Sequence, residues 1–127
     1  MIGLFSPLID QLTRGLSYAT ARHLVLAKNI ANSETPGYRP RDLVFDDYLK
    51  VRPGLGTGEL SPDPGPEALA ATRFIQMADG PARHDGNTVH MDKQMARIAE
   101  NTLYQNTLVQ LLAGQFAALK RAISGQV

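Results

Sequence analysis

Along the first third of the chain Ile9, Leu12, Leu16, Ala19, His23, Leu26 and Ile30 recur at alternating gaps of three and four. That is the seam of a helix made to pair with another helix. Starting at Leu8, with Pro7 in the first turn where its missing donor has no partner, such a helix runs some 25 residues, or roughly 38 Å. Asp10, Arg14, Arg22 and Lys28 fall on its other face, and Gly15 and Thr20 weaken it locally. His23 is the one polar member of the stripe and is expected to be buried and hydrogen-bonded to a neighbouring helix. A second, longer stripe runs through Met91, Met95, Ile98, Thr102, Gln105, Val109, Leu112, Phe116, Leu119 and Ile123, again at gaps of four and three. It predicts a helix of roughly 50 Å. Thr102 and Gln105 interrupt it where polar side chains fix register or meet another subunit. Ala96, Ala99, Gly114, Ala117 and Ala118 keep a second face shallow enough for close approach. The predicted fold is mainly α, with long N- and C-terminal helices paired, parallel or antiparallel, as a coiled-coil-like unit.

The first helix has to stop at Asn29-Ile30-Ala31-Asn32-Ser33-Glu34-Thr35-Pro36-Gly37-Tyr38. Pro36 pushes Thr35 out of the α region, and Pro-Gly is the sequence form of a type II turn. Asn29 and Asn32 share a face of the last helical turn, where their amides can satisfy carbonyls left over at the helix end. Beyond the turn, Phe45, Tyr48 and Leu49 are placed to fold back on the first helix. Arg39, Arg41 and Lys50 alternate with Asp42, Asp46 and Asp47, giving either a solvated loop or a subunit contact. Arg52 to Glu67 holds four prolines and four glycines, which precludes a core. Residues 68–83, with Leu69, Phe74, Ile75 and Met77, read equally as a short helix or a strand. Asp85-Gly86-Asn87 is a turn, with Asn87 or Thr88 as cap and Asp92 near the positive end of the next helix. The chain thus divides into 1–34 (first helix), 35–52 (turn and anchor), 53–86 (an irregular Pro/Gly-rich insert) and 87–127 (second helix).

Composition narrows the function. Of 127 residues 43% are apolar and 6% aromatic, with no tryptophan, so the core is aliphatic. A formal charge of +1, with arginines dispersed among acids, provides no field for nucleic acid. The absence of cysteine excludes disulfides and thiol chemistry. No cleavable leader pattern and no run of about 18 apolar residues is present, so no membrane insertion is expected. His84, Asp85, His90 and Asp92 are the sole zinc-like cluster, but Gly86 and Asn87 break it and the histidines lack helical ligand spacing. Gly54, Gly56 and Gly58 are not followed by the Lys-Ser/Thr of a phosphate loop. No cofactor and no enzymatic activity are expected.

Ala31-Asn32-Ser33-Glu34-Thr35-Pro36-Gly37-Tyr38 resembles the signature of the bacterial flagellar rod and hook family of axial proteins. The continuation Arg39-Pro40-Arg41-Asp42, then Phe45 and Leu49, is similar to the family's short proximal rod members. So is the run from Asp85-Gly86-Asn87-Thr88-Val89 through Met95, Ala99-Glu100-Asn101 and Tyr104 to Leu119-Lys120 and Ile123. Arg39-Pro40 departs from the usual basic residue followed by a small or flexible one. The resemblance implies a structural subunit that polymerises through its terminal helices into a tubular rod, a drive shaft that transmits torque and surrounds the export channel. The signature residues would be Asn29, Asn32, Thr35, Pro36, Gly37 and Tyr38. The assembly seam would comprise Ile9, Leu12, Leu16, Leu26, Ile30, Met95, Ile98, Val109, Leu112, Phe116, Leu119 and Ile123. Implied partners are other rod subunits, the ring-to-rod adaptor, the inner-membrane ring and, during secretion, the export gate. Secretion would use the flagellar type III system without a cleaved signal, to a periplasmic rod. Phe5 and Ile9 resemble a gate-docking motif, although such short motifs arise easily by chance and an apolar staple at the helix start is the preferred reading. Within the family, another proximal rod subunit shares the turn signature; outside it, a soluble helical adaptor binding one partner helix fits the same pattern.

Overall fold

The computed structural model describes residues 2–45, 74–76, 80–84 and 86–125, with backbone alone for residues 2–6 and 74. The Tyr48–Leu49 anchor, most of the insert and Asp85 lie outside the described residues, as does the side chain of Phe5. Helix α1 spans Ile2–Ala31, strand β1 Arg41–Leu43, strand β2 Phe74–Gln76 and helix α2 Met91–Ser124. α1 begins six residues before Leu8, with Pro7 inside it. The cost is one lost main-chain bond, which a long helix absorbs. Among the described residues no helix is long and apolar enough to cross a membrane.

The two helices lie antiparallel. Asn29 meets Gln94, Ala19 meets Asn101, and Gly15 faces Leu108. A Cβ on Gly15 would stand 3.0 Å from Leu108 Cδ1 and 3.2 Å from the Tyr104 hydroxyl. The glycine that lowers helix propensity is thus the point of close approach.

At alternate positions the facing stripes lie one residue earlier than hydrophobicity alone predicts. On α2 the residues turned inward are Gln94, Ile98, Asn101, Gln105, Leu108, Leu112 and Leu119, while Met95, Thr102, Val109 and Phe116 are exposed. On α1 Leu12, Gly15, Ala19, Leu26 and Asn29 are buried, and His23 is exposed, against its expected burial. Amides cause the shift: Gln94 and Asn101 are fully buried because each has a hydrogen-bond partner on α1. Thr102 does not fix register, since its hydroxyl bonds Ile98 of its own helix.

A second face of α1 packs on β1, with Ala21 and Leu43 buried against Tyr18 and Val25. Residues 41–43 are therefore strand rather than solvated loop, and pair antiparallel with β2, Arg41 opposite Gln76 and Leu43 opposite Phe74. Of the two alternatives for residues 68–83, β2 is the strand one. Arg22, expected on the solvent face, instead grips Asp42 with both prongs of its guanidinium at 2.9 Å.

Candidate functional site

The signature stretch closes into a compact elbow. The Asn32 amide donates to the Lys28 carbonyl at 2.8 Å, and its oxygen accepts from Thr35 Oγ1 at 3.2 Å. This is the helix-end role expected of it. The Tyr38 amide then donates to the Thr35 carbonyl at 3.3 Å, closing the turn, and Gly37 has φ +74°. Only glycine adopts that conformation without strain.

Asn29 departs from the expected role. Its amide nitrogen donates across the fold to the Arg41 carbonyl at 2.7 Å and to Gln94 Oε1 at 3.1 Å. Its oxygen accepts from the Tyr38 hydroxyl at 3.1 Å and the Arg41 amide at 3.0 Å. All four hydrogen-bonding positions of the amide are used, so one buried side chain joins helix end, turn, β1 and α2. Burial raises the Tyr38 phenol above its ordinary range, partly opposed by the Arg41 charge.

The C-terminal segment completes the elbow. Buried Asn87 donates to the Ser33 carbonyl and accepts from the Val89 amide. It does not cap α2, whose N-cap is His90 with no side-chain capping bond, although Asp92 does lie in the first turn. Val89 is buried beside it. Gly86 of the preceding turn lies against Gly37, so the two turns stack. Asn87, a predicted cap, bridges to Ser33 instead, whereas Gln94 and Asn101 are the residues that pattern reasoning missed. The available signal was polar amides one position off an apolar seam.

Of the seam residues, Leu12 and Leu26 are buried and Ile9, Leu16, Ile30, Ile98, Leu112 and Leu119 are half-buried. Met95, Val109, Phe116 and Ile123 face outward, Phe116 54% and Ile123 86% exposed, together with Leu103 at 70%. Among the described residues no three histidine, aspartate or glutamate side chains converge as a metal site. His84 is exposed, and His90 stands against Gly80.

A small groove opens beside this core between Tyr18, Arg22, Phe45, Glu100 and Tyr104, with a volume of about 220 Å³. Tyr18 and Phe45 meet edge to face, ring centres 4.8 Å apart.

No family model matches the chain. Curated relatives do. The chain is 34% identical over 128 residues to the flagellar basal body rod protein FlgB of Cereibacter sphaeroides, covering 92% of this chain and 96% of the relative. It is 31% identical over 122 residues to FlgB of Salmonella typhimurium, covering 87% and 88%. To FlgB of Bacillus subtilis it is 27% identical over 132 residues, covering 98% of both. Identity of 31% and 34% over most of both chains shows that the chain belongs to the FlgB family of flagellar basal body rod proteins.

Proposed function

We propose that this rod component is a structural subunit of the proximal rod, polymerising through its terminal helices into the tubular shaft that transmits torque and surrounds the export channel. The observation that carries the reading is the unburied apolar surface of α2, where Met95, Val109, Phe116 and Ile123 share one face and Leu103 and Leu111 are exposed beyond it. At about 25 cal/mol per Å², a few hundred Å² of such surface forgoes several kcal/mol, comparable to the whole stability of a small domain. Neighbouring subunits supply that burial by mass action. The signature residues Asn29, Asn32, Thr35, Pro36, Gly37 and Tyr38 set the elbow from which the helices project. The seam residues act in two sets, the inward ones joining the helix pair and the outward ones joining subunits.

Its neighbours in this reading are other rod subunits, the ring-to-rod adaptor and the inner-membrane ring, and its route to the periplasmic side is type III export without a cleaved signal. Work is done by shape and adhesion, with no catalytic step. Phe116→Asp with Ile123→Asp, both outward, blocks assembly measured by sedimentation while leaving the far-UV circular dichroism of the monomer unchanged. The assembled form shows more helix than the monomer. A double variant that still assembles, or a wild-type monomer that melts cooperatively with its full helix content, overturns the reading in favour of a helical adaptor.

A further inference from the structure

The groove between Tyr18, Phe45, Glu100 and Tyr104 has the chemistry of a cation receptor. Three aromatic rings line it, and aromatic faces attract ammonium and guanidinium groups. Arg22, the one cation among the described lining residues, is neutralised by the two oxygens of Asp42 at 2.9 Å. Glu100 is exposed and forms no ion pair among the described residues. Among the described residues the balance of charge at the groove is therefore negative.

Cations with no ion-pair partner among the described residues stand at the other end of the same helix. Glu100 is the last carboxylate side chain in the sequence, and beyond it α2 carries only Lys120 and Arg121 as charged groups. Both are exposed and form no ion pair among the described residues, between outward-facing Phe116 and Ile123. On the adjoining stretch of α1, Asp10 is already committed to Arg14 at 2.9 Å. Glu100 and Lys120 are twenty residues apart on one helix, roughly 30 Å, so no single copy can bring them together.

We propose that the groove receives the basic end of α2 from a second copy of the chain, Lys120 or Arg121 entering between the aromatic rings toward Glu100 while Phe116 and Ile123 cover the apolar margin. The inference rests on the assembly reading above and specifies its contact. The two surfaces differ, so the contact is head-to-tail and repeats as an open helical array rather than closing a dimer.

Charge exchange tests it with the full chain. Glu100→Lys lowers the assembled fraction about tenfold, the scale of a desolvated cation–π and ion-pair contact, and Lys120→Glu with Arg121→Glu does the same. Combining all three restores assembly, because the charges are again complementary. Monomer circular dichroism is unchanged in every variant. The chain has no cysteine, so Glu100→Cys with Lys120→Cys yields an oxidised ladder of linked copies. Wild-type assembly that ignores Glu100→Lys, or a triple variant no better than Glu100→Lys alone, or an absent ladder in assembled material, overturns the head-to-tail contact and leaves the rod reading standing. A wild-type chain that neither assembles nor enters basal bodies overturns both.

Discussion

At the scale of residues, the amide of Asn29 uses all four of its hydrogen-bonding positions, bonding Arg41, Gln94 and Tyr38 from a position with no solvent exposure. Water cannot replace those partners, and each buried polar group left alone costs about 1–3 kcal/mol. Asn29→Ala is therefore expected to destabilise the chain by about 3 kcal/mol, read as a lower urea midpoint. Asn32→Ala, on an exposed bond, costs no more than about 1 kcal/mol. Burial raises both the Tyr18 and Tyr38 phenols above the ordinary value of 10.0, the Arg22 charge opposing it at Tyr18 and Arg41 at Tyr38. The fold thus favours the neutral phenols. Their contribution is fully present below pH 10 and lost as pH rises through the raised folded values. A urea midpoint that is flat from neutrality to about pH 10 and falls above it is the expected result, the fall being smaller in Tyr38→Phe.

At the scale of elements, the helix pair is set by close approach at its centre and amide bonds beside it. Gly15 lets Leu108 and the Tyr104 hydroxyl lie where a side chain would stand. In a free helix Gly15→Val would gain a few tenths of a kcal/mol of propensity. Here it forces the helices apart, at about 1–3 kcal/mol of overpacking. The expected outcome is a lower thermal midpoint and a weakened Ala19–Asn101 bond, seen as faster amide-proton exchange in the middle of both helices. A rise in stability would show that the helices separate without cost there. The short β1–β2 ladder is held from below by α1, through Leu43 in the apolar cluster and Asp42 on Arg22. Neither strand has the length to stand alone.

At the scale of the molecule, the antiparallel pair has two unlike ends. One carries the elbow, the stacked turns and the β ladder, and the other carries the start of α1 and the cationic, apolar end of α2. The backbone of α1 is helical from Ile2, which puts Phe5 and Ile9 one turn apart on one face. Phe5→Ala separates the two readings of that pair. As a gate-docking residue its loss lowers secretion at unchanged cellular level. Normal secretion with failed rod assembly would assign Phe5 to packing instead.

Read without coordinates, the chain already determines two long helices, the stop at Thr35-Pro36-Gly37-Tyr38 and a positive φ at Gly37, because periodicity and backbone sterics are local properties. Residues 98, 105, 112 and 119 of the inner stripe are legible for the same reason. The other half of that stripe is not. Gln94 and Asn101 lie inside and Met95, Val109 and Phe116 outside, since a buried amide is stable only opposite a partner some 65 or 82 residues away in sequence. The same holds for Asn87 on Ser33, Arg22 on Asp42 and β1 on β2. Hydrophobicity ranks residues one at a time, whereas hydrogen bonds and ion pairs acquire their value in pairs. Tertiary structure alone brings those pairs together.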